Sequence, residues 1–246
     1  MASRGQMRKQ GEALRERLFG RGAAPGDAAP GFRELMAEAV YGGIWRRPGL
    51  ELSDRMLCTL AALSAVRAHA SLRRHVEAAA QLGIGGEQIF EVFIQVGIYA
   101  GFSASEDAID IAAPLLKLAS SKTGNETREN LMQRGQELLR KLHGTRGQLG
   151  YAAPDNAYTS TLYPLAIEYG YGEIWHRPGL ALRQRAMVAV AAFAALRMED
   201  QLKKFAQSAL NTGLSKEEVR EALVQTAPAS GFAAALNALR WLSEVL

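Results

Sequence analysis

Cysteine occurs once in this chain, histidine four times, and long apolar runs and strand-like alternation not at all. A lone Cys58 excludes an internal disulfide and says little about compartment. Its setting, "RMLCTLAAL", reads as that of a small buried hydrophobe with no base beside it, which argues against covalent catalysis. The histidines are His69, His75, His143 and His176. They form no HExxH pair and no Cys/His cluster, so the expectation is no metal. No GxSxG elbow, P-loop or dinucleotide fingerprint is present, and no cofactor is expected. No apolar stretch approaches the roughly 20 residues that span a bilayer. The opening "MASRGQMRKQGEALRERLFG" alternates charges and lacks the apolar core of a secretory signal, so a cytoplasmic protein away from membranes is expected. The 29 Lys and Arg residues against 25 Asp and Glu leave a mild +4. They are dispersed, which argues against nucleic acid as a partner and leaves some cations for an anionic small molecule.

What the chain does have is a repetition. "YGGIWRRPGL" begins at Tyr41 and "YGEIWHRPGL" at Tyr171, with eight of ten positions identical. The same shift of 130 aligns Arg55 with Arg185, Gly83 with Gly213, Glu91 with Glu221, Gln95 with Gln225 and Gly101 with Gly231, without a gap from Tyr41 onward. Upstream, "GEALRERLFG" at Gly11 resembles "GQELLRKLHG" at Gly135 with a slightly different offset. Solenoid units are shorter and come in threes or more, so this is one domain duplicated. The copies are taken as 1–122 and 123–246, joined through the polar stretch from Ser120 to Leu131.

Each copy reads as helices, and the fold class is all-α. "SDRMLCTLAALSAVRAHA" carries apolar residues three and four apart, with Ser53 placed to cap it. "SLRRHVEAAAQLG" ends at Gly83, a C-terminal capping glycine. "GGEQIFEVFIQVGIYAGF" and "SASEDAIDIAAPLLKLAS" give two more, the last expected to kink at Pro114. Ser215 and Glu218 stand in capping-box register. "RQRAMVAVAAFAALR" is apolar over most of its circumference, more than one packed face needs, which points to contact between copies or chains.

Together, "YGGIWRRPGLELSDR" and "SLRRHVEAAAQLGIGGEQIFEVFIQVGIYAGF" resemble the carboxymuconolactone decarboxylase family, part of the alkylhydroperoxidase D-like superfamily. The likeness covers nearly the whole chain, in tandem. It implies helical units that pair inside the chain, and a dimer or trimer of the whole. The peroxidase branch uses Cys-x-x-Cys. Here those positions are His69 and Leu72 in copy one and Glu199 and Leu202 in copy two, so a disulfide cycle is excluded. That branch's glutamate after the helix-opening arginine is Met56 or Ala186 here.

The copies also differ from each other. His75 aligns with Phe205, and Gly43 with Glu173. Unequal loss suggests one composite site. The expected catalytic pair is His75, carrying a proton, and Arg55, anchoring an anion, with Trp45, Glu173 and Arg185 as substrate-binding candidates. A plainer reading of Glu173 and Arg185 is a turn cap held by an ion pair, and of His75 a half-buried ring satisfied by a backbone carbonyl. The resemblance implies a cofactor-independent lyase acting on a small cyclic or polyketide-like acid or lactone. The alternative is a non-catalytic or isomerase-type member that binds a small ligand or serves as an assembly partner.

Overall fold

A computed structural model describes residues 2–20, 29–116, 124–148 and 156–246. The boundary expected between the copies, at 122/123, lies outside the described residues. The polar joining stretch is already helical from Arg128, where α7 begins. The described residues form helices and no strands.

The first copy comprises α1 (Arg4–Phe19), the short α2 (Phe32–Leu35) running on as a wider π-helical segment (Met36–Gly42), α3 (Leu52–Ala65), α4 (His69–Gln81), α5 (Gly86–Ala100) and α6 (Phe102–Ala112). The second repeats it with α7 (Arg128–His143), α8 (Tyr163–Leu165) and its π segment (Ala166–Glu173), α9 (Leu182–Leu196), α10 (Glu199–Leu210), α11 (Lys216–Gln225), a short α12 (Ala227–Ser230) and α13 (Phe232–Ser243). The capping box at Ser215 forms with both of its bonds, and Gly83 takes a left-handed φ of 82° just past α4. Ser53 does not cap α3. The cap position is Glu51, two residues earlier, and it makes no side-chain cap bond. Pro114 does not kink α6: the helix stops at Ala112 and a 3-10 turn, Ala113–Leu115, carries the proline.

The core is shared between the copies. Helices α3 and α9 pack on each other, and α5 and α11 each lie against both. From Met56 to Leu63 every residue of α3 is buried, as is every residue from Arg185 to Ala195 of α9. A helix apolar all round must be covered all round. Here α3, α5, α10, α11 and α13 cover α9 within one chain. The apolar circumference that suggested contact between chains is therefore accounted for inside this one.

Two close approaches hold α1 and α7 against the π segments. A Cβ on Gly11 would lie 1.9 Å from the Ala37 carbonyl oxygen, and one on Gly135 would lie 2.3 Å from that of Ile167. Only glycine lets the two backbones meet there. Buried Glu38 accepts from Arg4 and Arg8, and buried Glu168 from Arg128, pinning the same junction in each copy.

Candidate active site

The helix-opening arginines bolt the two copies together. Arg55, 1% exposed, donates through Nη2 to Glu221 Oε2 (3.0 Å) and the Arg47 carbonyl (2.8 Å), and through Nη1 to Gln225 Oε1 (3.2 Å). Arg185 repeats this with Glu91 (2.8 Å), the Arg177 carbonyl (2.7 Å) and Gln95 (2.9 Å). Burial pushes the Glu221 carboxyl up, but hydrogen bonds from Arg47 and Arg55 outweigh it and hold the group below the usual range. For Arg185 burial wins over Glu91, and its pKa is lowered. Breaking such a desolvated pair from one side is costly, whereas its net contribution against an apolar pair is small.

Arg55, expected beside His75, therefore does not reach the hollow that His75 lines. Arg185 pairs with Glu91 and not with Glu173. Glu173 instead lines a separate polar cleft of about 160 Å³, 3.7 Å from Arg134 and 3.9 Å from Arg177. Of the five residues singled out from sequence, His75 and Trp45 come together, and Arg55, Arg185 and Glu173 lie elsewhere.

The hollow is a cavity of about 340 Å³ in the first copy. Its apolar walls are Phe19 from α1, Phe32, Met36, Val40 and Tyr41 from α2 and its π segment, Trp45, and Leu63 from α3. The His75 ring sits between Phe19, edge-on at 5.1 Å, and Trp45, stacked at 6.2 Å. Three guanidiniums line it as well: Arg15 from α1, Arg33 from α2 and Arg74 from α4. No carboxylate lines it among the described residues. These arginines went unremarked in the sequence because they stand on three elements and look like scattered surface cations. Thr59 joins the wall and links it to the bolt: Gln225 Nε2 donates to Thr59 Oγ1 (3.1 Å), which donates to the Arg55 carbonyl (2.9 Å).

His75 Nδ1 lies 2.7 Å from the Ser71 carbonyl oxygen. A carbonyl only accepts, so Nδ1 carries the hydrogen and Nε2 keeps its lone pair in the neutral ring. Burial lowers the pKa to about 4, the Ser71 carbonyl opposes that, and Arg74 adds to it. At neutral pH the imidazole is uncharged.

The equivalent place in copy two is filled. Phe193 stands at the position of Leu63, Tyr99 at that of Ala229, and Phe205 at that of His75. Tyr99 and Phe193 meet at 4.5 Å, and Phe193 and Phe205 at 4.9 Å. Arg15, Arg33 and Arg74 are replaced by Leu139, Tyr163 and Lys204. Copy two does hold an imidazole here, from the opposite helix: His143 takes the place of Phe19 and packs on Phe205 at 4.7 Å. Both its nitrogens are engaged, Nδ1 with Ser208 Oγ (2.6 Å) and Nε2 with the Tyr171 hydroxyl (2.8 Å), and burial lowers its pKa to about 3. It is a packed core group.

The family model for carboxymuconolactone decarboxylases matches twice, over 30–114 and 161–244. The chain belongs to that family, as a tandem member with one helical unit in each half. It is 32% identical over 86 residues to a 4-carboxymuconolactone decarboxylase of Acinetobacter baylyi, a match spanning 35% of this chain and 64% of that protein. It is 23% identical over 122 residues to a nitrosuccinic acid decarboxylase of Metarhizium robertsii, covering 50% of this chain and 85% of that one. No helix among the described residues is long and apolar enough to cross a membrane. None of them forms a group of three or more His, Cys, Asp or Glu that could hold a metal ion.

Proposed function

We propose that the chain is a lyase working without a cofactor, releasing CO2 from a small acid bound in the hollow of the first copy. The observation that carries this reading is the convergence there of three arginines and a neutral imidazole, with no carboxylate among the described lining residues. Guanidinium forks match carboxylate oxygens and stay charged, so Arg15, Arg33 and Arg74 take the anchoring role expected of Arg55. Arg55 acts at a distance, holding Thr59 in the wall through Gln225.

Decarboxylation breaks the bond from carbon to carboxylate, passes its electron pair into a conjugated carbonyl and requires one proton on the carbon left behind. Arginines fixed in an apolar hollow stabilise the charge as it spreads. An anion beside Nε2 favours the imidazolium, so a proton taken from solvent enters with the substrate, and Nε2 hands it to the carbon. The names of both relatives, each a decarboxylase of a small acid, support the same reaction class. A second reading, proton abstraction without loss of CO2, is favoured by the uncharged resting state of His75.

The test offers 4-carboxymuconolactone and nitrosuccinate to purified protein and measures CO2 release. His75→Gln is expected to lower the rate by about 10²-fold or more with the melting temperature retained. An unchanged rate removes His75 from the chemistry.

A further inference from the structure

We infer that Ala229, supplied by the second copy, sets how large an acid the first copy's site admits. This rests on reading the hollow as an acid-binding site. Two residues of copy two line it, Pro228 and Ala229. They are in place because of a break that copy one lacks. Helix α5 runs unbroken from Gly86 to Ala100, but its counterpart α11 stops at Gln225 and a separate turn, Ala227–Ser230, follows. Pro228, at the position of Ile98, has no N–H to continue the ladder.

The chain contains its own control for what a large residue does at this position. Tyr99 is the counterpart of Ala229, and it fills the second copy's hollow against Phe193 and Phe205, its hydroxyl held by Gln95 Nε2 at 2.7 Å. At the first copy's hollow the matching amide, Gln225 Nε2, has no such hydroxyl to hold and turns to Thr59 instead. The alanine thus leaves open the volume that the tyrosine occupies, while His75 and Trp45 stay in place beside it. Ala229 is a size-determining wall residue and takes no part in proton transfer.

The experiment uses the full chain, with benzene-1,3-dicarboxylate and naphthalene-2,6-dicarboxylate as small and large probes. Their dissociation constants are measured by calorimetry for wild type and for Ala229→Val, Ala229→Leu and Ala229→Tyr. Folding is checked by helical circular dichroism and melting temperature. Affinity for the larger acid relative to the smaller is expected to fall stepwise with side-chain volume, by tenfold or more at leucine. If tyrosine does not fold, the valine and leucine variants decide. A ratio unchanged across the folded variants, with CO2 release intact, overturns the wall and spares the lyase reading. Size-selective binding that follows the series, with no CO2 released from either relative's acid, upholds the wall and overturns the lyase reading.

Discussion

Nε2 of His75 keeps a lone pair, and the ring lines a hollow whose only charged lining residues, among those described, are arginines. The free ring titrates near pH 4 because burial penalises its cation. That value separates the two chemistries. If the imidazolium must deliver a proton, kcat/KM on an acid ionised throughout the range falls about tenfold per pH unit above 4. The inflection in kcat then lies higher, because the bound anion raises the ring's pKa. If the neutral ring abstracts a proton, kcat/KM instead rises through pH 4 and stays flat. The lyase reading predicts the first profile. His75 and Trp45 were legible in the sequence because they sit in motif positions with rare letters. Arg15, Arg33 and Arg74 were not, since nothing in one dimension shows that three helices aim them at one volume. Ala229 carries no signal at all without its large counterpart for comparison.

Elements place these residues, and the tightest constraint is the contact of α1 with the π segment. Helix α1 carries Arg15 and Phe19 into the hollow, and Gly11 lets it lie close enough to do so. Gly11→Ala and its counterpart Gly135→Ala each force a backbone apart and should cost about 1–3 kcal/mol in urea unfolding. Only Gly11→Ala should also weaken acid binding, because α7 serves the filled hollow. Equal loss of binding in both variants would show that the α1 contact has no special claim on the site. The helices themselves were visible from apolar spacing, and the capping box at Ser215 from its letters. The π segments were not. Each is packed closely against α1 or α7, a tertiary contact that local propensity does not encode.

For the whole molecule, duplication set two equal units side by side and divergence left them unequal. Glu91 and Gln95, repeated as Glu221 and Gln225, were visible as a matched pair four residues apart. Their partners were not, because each pair serves the arginine of the opposite copy. Those bolts explain why the helix-opening arginines persist in both halves while the imidazole facing open space persists in one. The account therefore allows one acid per chain, in one place. The most direct test is a crystal structure of the protein soaked with benzene-1,3-dicarboxylate. The account predicts density between His75, Trp45 and the guanidiniums of Arg33 and Arg74, and none beside Phe205. Acid bound against Arg55 or Arg185 at the inter-copy bolts, with the hollow empty, would contradict it.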